Sequence, residues 1–235
     1  MFPSPDVVAN MLDKSPYYDH MTQRDLISRQ HNNQLDNYRD VYKKGIREFT
    51  NAEKQIVHNL VAQADKILAP YKKINTIPWQ FAKLCCIMEG GFPHTQLNYI
   101  FLEQSFFQLG HRSEQDQVTI LIHEKIHVYQ RMFPLETNIL IQKAWKYRPC
   151  GILKRHGDAR NNPDLNGVVY CMNGASSYMA FNNESPTNLN DCEIKGPDKF
   201  EHPFERMAYE ISESLALGKN MMAPEATYAW MRHYL

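Results

Sequence analysis

His123-Glu124-Lys125-Ile126-His127 sets two imidazoles four residues apart, with a carboxylate directly after the first. On a helix of about 3.6 residues per turn, His123 and His127 project from one face, one turn apart. Their neutral nitrogens can take two positions of a tetrahedral metal site, and Glu124 then lies beside the place of a bound water. This is the donor set of a zinc-dependent hydrolase, with Zn2+ as the expected cofactor and Glu124 as general base. The competing reading is a surface helix that carries these residues for other reasons. In 235 residues with ten histidines, chance supplies the pattern roughly 0.02 times.

The element that must hold these groups is legible around them. Ser113 can cap a helix whose first turn carries Glu114 and Asp116, and Arg131 suits its C-terminal end before Pro134. Val118, Leu121, Ile122, Tyr129 and Met132 recur at helical spacing and are expected to face the core. His123, Ile126, His127 and Gln130 fall on a neighbouring stripe.

A catalytic zinc usually takes a third protein ligand and leaves a fourth position for water. The segment from Glu201 to Glu210 concentrates Glu and His at the start of a helix opened by Pro203, so Glu205, Glu210 and His202 are the candidates. Glu210 would project from a different side of that helix than Glu205. Here the chain resembles the zincin metallopeptidases of the gluzincin type, in which His-Glu-x-x-His is followed by a ligand Glu in an Asn-Pro-x-Glu-x-x-Ala helix. His202-Pro203-Phe204-Glu205-Arg206-Met207-Ala208 matches with His in place of Asn, and Gln130 stands where several such families carry Gln. The likeness runs from about Trp79 to Leu217 with a long dissimilar middle, and Tyr209 departs from the Asp often found four residues after the ligand Glu. The resemblance implies Glu205 as third ligand, peptide or protein as substrate, and an α+β, zincin-like fold, mostly helical, with a small β-sheet beside the active-site helix. A second donor for the oxyanion would come from Tyr178, Tyr209, His202 or Arg206, with the two tyrosines preferred as catalytic residues.

Residues 1–70 are expected to form an N-terminal arm and helical region, and 71–235 the peptidase domain with a loop-rich insertion at about 148–200. The first twenty residues, with three prolines, read as an arm that packs loosely or wraps the body. A helix is predicted from about Thr22 to Phe49, with a break near Gly45, and another after the Thr50-x-x-Glu53 capping box to Pro70. Strands are predicted near Trp79 to Met88 and Gln96 to Leu102, joined as a hairpin. If the second lies at a sheet edge, an extended peptide could pair with it. A helix from Pro134 through Trp145, a hairpin of Val168 to Met172 with Tyr178 to Phe181, and a last long helix from Pro203 complete the reading.

Lys plus Arg and Asp plus Glu balance at 26 each without a basic run, which argues against nucleic acid as partner. No apolar run approaches the ~18 residues of a membrane span, and the N-terminus lacks a basic stretch followed by a hydrophobic one. An intracellular location with reduced thiols is therefore expected, with a bridge among Cys150, Cys171 and Cys192 as the alternative. Two other functions compete. One is a zincin scaffold without turnover, its metal plugged by the 150–199 stretch or closed by a cysteine. The other is a deformylase-like hydrolase that takes Cys85 or Cys86 as third ligand.

Overall fold

The computed structural model describes residues 1–29, 38–85, 88–108, 110, 112–217 and 224–235. In chain order the N-terminal region supplies helices α1 (Pro5–Leu12), α2 (Gln23–Arg29) and α3 (Tyr38–Lys44), then strand β1 (Ile46–Arg47) and helix α4 (Asn51–Leu68). The short α5 (Lys72–Asn75) leads to β2 (Phe81–Leu84), β3 (His94–Gln96) and β4 (Tyr99–Glu103). Helix α6 (Glu114–Met132) follows, then α7 (Pro134–Asn138), which continues as a π-helical stretch to Ala144. The next region holds β5 (Arg148–Ile152), β6 (Val168–Met172), β7 (Ala175–Ser176), β8 (Tyr178–Phe181) and β9 (Cys192–Lys195). Helices α8 (Pro203–Ala216) and α9 (Glu225–Tyr234) end the described chain. The molecule is thus mixed α and β with more helix than strand. Among the described residues no helix is long and apolar enough to cross a membrane.

The central sheet has the order β1-β2-β4-β3, with β2 and β4 parallel and both outer pairs antiparallel. Alternation along the strands gives each face its own core. Phe81, Ile100 and Leu102 pack with α4, α6 and α8, whereas Ala82, Leu84 and Phe101 pack with Val8, Leu12, Tyr38 and Tyr42 of the N-terminal helices. Residues on both sides of position 70 therefore share the main core, and β1 belongs to the same sheet as β2.

Several expectations need correction. Of the two readings of the first twenty residues, the arm wraps the body and does not pack loosely: Pro5 and Pro16 open helical turns, and Val8, Leu12 and Tyr17 are buried in the core on one face of the sheet. Of the helix expected over 22–49 the described residues show α2 and α3, with positions 30–37 outside the description; α3 ends at the expected break beside Gly45, and strand β1 follows it in place of further helix. The first predicted strand runs only Phe81–Leu84, and its last expected residues at 86–87 also lie outside the description. It pairs in parallel with β4, because a 3-10 turn at Glu89–Gly91 and β3 intervene. The true hairpin is β3 with β4, turned through Leu97, whose φ of 53° leaves strand geometry. Consequently β4 is paired on both sides and cannot accept a peptide as an added strand.

In the region after residue 148, the strands at 168–172 and 178–181 form where predicted, but not as a hairpin with each other. The tight turn at Asn173 and Gly174, both with positive φ, sends β6 into β7, while β8 pairs with β9. Cys150 on β5 and Cys171 on β6 are joined in a disulfide, contrary to the all-reduced expectation, and Cys85 and Cys192 take no part in it. Met132, expected in the core, is 48% exposed, because α6 ends there and the chain turns into α7.

Candidate metal centre

Helix α6 begins with the predicted Ser113 cap, closed as a reciprocal pair with Asp116. Its apolar stripe of Val118, Leu121, Ile122 and Tyr129 is buried, which turns the neighbouring stripe toward α8. There His123 and His127 stand with Nε2 atoms 3.0 Å apart. Helix α8 crosses at this point, with His202 capping it through Nδ1, which accepts from the Phe204 amide. The small, fully buried Ala208 permits the close approach. Glu205 in its first turn then brings Oε2 to 3.4 Å from His123 Nε2 and Oε1 to 3.7 Å from His127 Nε2. Donors held by one zinc at about 2.0–2.1 Å and tetrahedral angles lie about 3.3 Å apart, so the three groups fit a single ion. Among the described residues they form the one group of His, Cys, Asp and Glu side chains arranged to hold a metal.

The second contacts favour ligation. His127 Nδ1 donates to Gln130 Oε1 at 2.9 Å, which leaves the Nε2 lone pair facing Glu205. Gln130 Nε2 in turn donates to the Phe204 carbonyl at 2.9 Å, tying α6 to the start of α8. Burial holds His127 below the usual imidazole range, so it stays neutral as a ligand must. Burial alone would raise Glu205, but the imidazoles of His127 and His123 and a hydrogen bond from Asn162 outweigh it and hold the carboxyl at about 2.

Glu124 is buried and faces the same cavity, its Oε2 without a partner. Burial, then the carboxylates of Asp164 and Glu205, pushes it well above the ordinary carboxylate range. The cavity is about 710 Å3. His123, Glu124, Glu205 and Tyr209 line it, and so do Met179, Leu189, Ile194 and Phe200 of the 148–200 region, without filling it.

The four oxyanion candidates separate. Tyr209 lies one turn after Glu205, its ring 4.5 Å from that of His123; the residue is 46% exposed, but partial enclosure of its phenol, then the Glu205 and Glu124 carboxylates, push it up to about 12, so it remains a donor. Tyr178 does not line this cavity; it sits on β8 against His156, because the pairing of β8 with β9 turns it toward Leu153 and Val169. Arg206 is engaged by Glu210 at 2.8 Å and stacked over Trp145, and Glu210 also accepts from Thr227. Neither Glu210 nor His202 joins the His123–His127–Glu205 group, and Cys85 does not either; Cys86 lies outside the described residues.

Sequence reading missed a polar wall at residues 160–164. Asn162 Nδ2 donates to Glu205 Oε1 at 2.8 Å and to Glu201 Oε1 at 3.1 Å, while its Oδ1 accepts from the Asp164 amide. Arg160 pairs with Glu201 at 2.9 Å. Asp164 accepts from both the amide and the hydroxyl of Thr95 at 2.6 Å. Arg131, two turns along α6 from Glu124, donates to Thr95 Oγ1, to Leu97 O and to Pro163 O. The run Asn161-Asn162-Pro163-Asp164 signals only a turn, and nothing in its spacing points to Glu205 or Thr95. Compared with known proteins, the chain matches no family model, no curated protein and no solved structure.

Proposed function

We propose that this protein is a zinc-dependent peptidase of gluzincin-like, zincin-type design that hydrolyses peptide bonds in peptides or proteins. The observation that carries the reading is the convergence of His123, His127 and Glu205 at zinc-like separations with buried Glu124 beside them, lining an unfilled cavity. When bound, zinc would act as a Lewis acid and lower the pKa of a coordinated water. His123, His127 and Glu205 would hold the ion, with Gln130 and Asn162 fixing two of those ligands. Glu124, buried with Oε2 unpartnered at the cavity beside the ligands, accepts the proton of the attacking water in its ionised form and passes it to the leaving amine. Tyr209, protonated and beside His123, donates a hydrogen bond to the oxygen that gains charge.

Two of the competing readings lose support. The deformylase-like alternative needs Cys85 or Cys86 near the histidines; Cys85 does not join them, and Cys86 lies outside the described residues. The plugged scaffold needs a fourth protein ligand or a filled cavity, and the described residues supply neither. The expected intracellular location sits uneasily with the Cys150–Cys171 bridge, which an oxidising compartment would preserve.

The test is Glu124→Gln, read by zinc content and by cleavage of unfolded protein. Retained zinc with hydrolysis reduced by at least about a hundredfold is the expected result. Unchanged hydrolysis removes Glu124 as the base. A zinc-loaded native chain that cleaves no peptide removes the peptidase reading altogether.

A further inference from the structure

We infer that the β8–β9 hairpin, through the main chain of Ile194, is the strand on which an extended peptide is held in the cleft. This rests on the peptidase reading for what the bound chain is, and on the following geometry for where it binds. The edge of the central sheet nearest the site, β3, has no free donor. His94 and Gln96 lie opposite Phe101 and Tyr99, while the Thr95 amide points outward and is taken by Asp164 at 2.6 Å. The Thr95 carbonyl accepts from Arg131 at 3.3 Å, and the Leu97 carbonyl from the same guanidinium at 3.1 Å. The preceding outward position is Pro93, which has no N–H. A peptide cannot add to such an edge.

The hairpin differs. Met179 O accepts from Arg160 N and Phe181 N donates to Asp158 O, so these two residues of β8 point their main chain toward residues 158–160. Tyr178 and Ala180 therefore pair with Lys195 and Glu193, and the N–H and C=O of Ile194, opposite Met179, point away from β8 at an open edge. Ile194 and Met179 both line the cavity that holds His123, Glu124 and Glu205. A strand added at that edge places the residue opposite Ile194 on the same face as Ile194 and Met179, toward the cavity. Leu189 and Phe200 also line it, so the ligand is an extended peptide with a large apolar side chain at that position.

The experiment uses the zinc-loaded full chain carrying Glu124→Gln and fluorescently labelled β-casein, an unfolded protein, with binding read by anisotropy. Adding Ile194→Pro removes one donor at an edge position that tolerates proline, and is expected to weaken binding by about tenfold or more. Ile194→Val keeps the N–H and stays within about twofold. Because the proline variant could disturb the hairpin, amide hydrogen exchange of the Glu124→Gln protein is measured as well, and casein should slow exchange at Ile194. Equal binding by the proline variant with no protection at Ile194, or no casein binding at all, overturns the inference. Hydrolysis by the native chain separates the two claims. Casein bound through Ile194 but never cleaved defeats the peptidase reading alone, whereas cleavage with the same kcat/KM in the Ile194→Pro chain defeats the inference alone.

Discussion

Gln130 does two jobs with one amide: its oxygen fixes the His127 tautomer and its nitrogen grips the Phe204 carbonyl one residue before Glu205. If the proposed zinc site is right, replacing it by Leu should weaken zinc binding by about 10- to 100-fold while leaving the helix intact, measured by competition with a chelating dye. A second residue shows how burial sets a pH response away from the site. Glu103 is almost wholly enclosed, with Oε1 unpartnered, and burial pushes its carboxyl up to about 8, offset in part by the Met88 amide. In the folded state it therefore keeps its proton above the ordinary carboxylate pKa, where the unfolded chain has lost it. Its contribution to stability is full below about pH 4.5 and is lost as pH rises toward 8, at up to about 1.4 kcal/mol per pH unit. Glu103→Gln should accordingly raise the midpoint of urea unfolding at pH 8 and leave it nearly unchanged at pH 4.

At the scale of elements, the site is a junction of four: α6, the start of α8, strand β3 and the 160–164 wall. Asp164 saturates Thr95 and faces Arg131 at 3.9 Å. Asp164→Ala should destabilise the fold by about 1–3 kcal/mol, because it strands the buried Thr95 amide, and equilibrium denaturation would show it. Local patterns made α6 and α8 readable in advance: an N-cap serine and a 3.6-residue stripe for the first, and a proline at the first helical position, two residues before Glu205, for the second. The wall was not readable, since Asn162 and Thr95 meet their partners 43 and 69 residues away and each looks like an ordinary turn or strand residue. Strand positions near 81–84 and 99–103 were anticipated, but their parallel pairing was not, because pairing depends on the path between strands and local alternation carries no record of it.

Across the whole molecule, the N-terminal helices cover the second face of the sheet and also brace the site. Buried Arg29 joins Asp25 and Glu89 at 2.9 Å and donates to the Asn161 carbonyl at 2.6 Å, beside the residue that holds Glu205. Sequence periodicity suggested helices there without suggesting that they reach the cleft, because charged residues on α2 look like a solvated face until their partners are known. The 148–200 region is stapled separately by Cys150–Cys171. Closing a loop of sequence separation 21 contributes about 3 kcal/mol in the chain-entropy account. Replacing both cysteines by serine should lower stability by roughly that amount in denaturant titration under oxidising conditions, and adding a reductant to the native chain should reproduce the loss.

The saturation of β3 also bears on how the molecules behave toward one another. Open sheet edges template the addition of foreign strands, and under the proposed function the protein would meet such strands constantly. In the four-stranded sheet one border, β1, is only two residues long, and the other has its outward amide and carbonyl at Thr95 occupied by Asp164 and Arg131. Growth of that sheet into intermolecular fibres is therefore blocked at both borders, leaving strand addition to the short hairpin over the cleft.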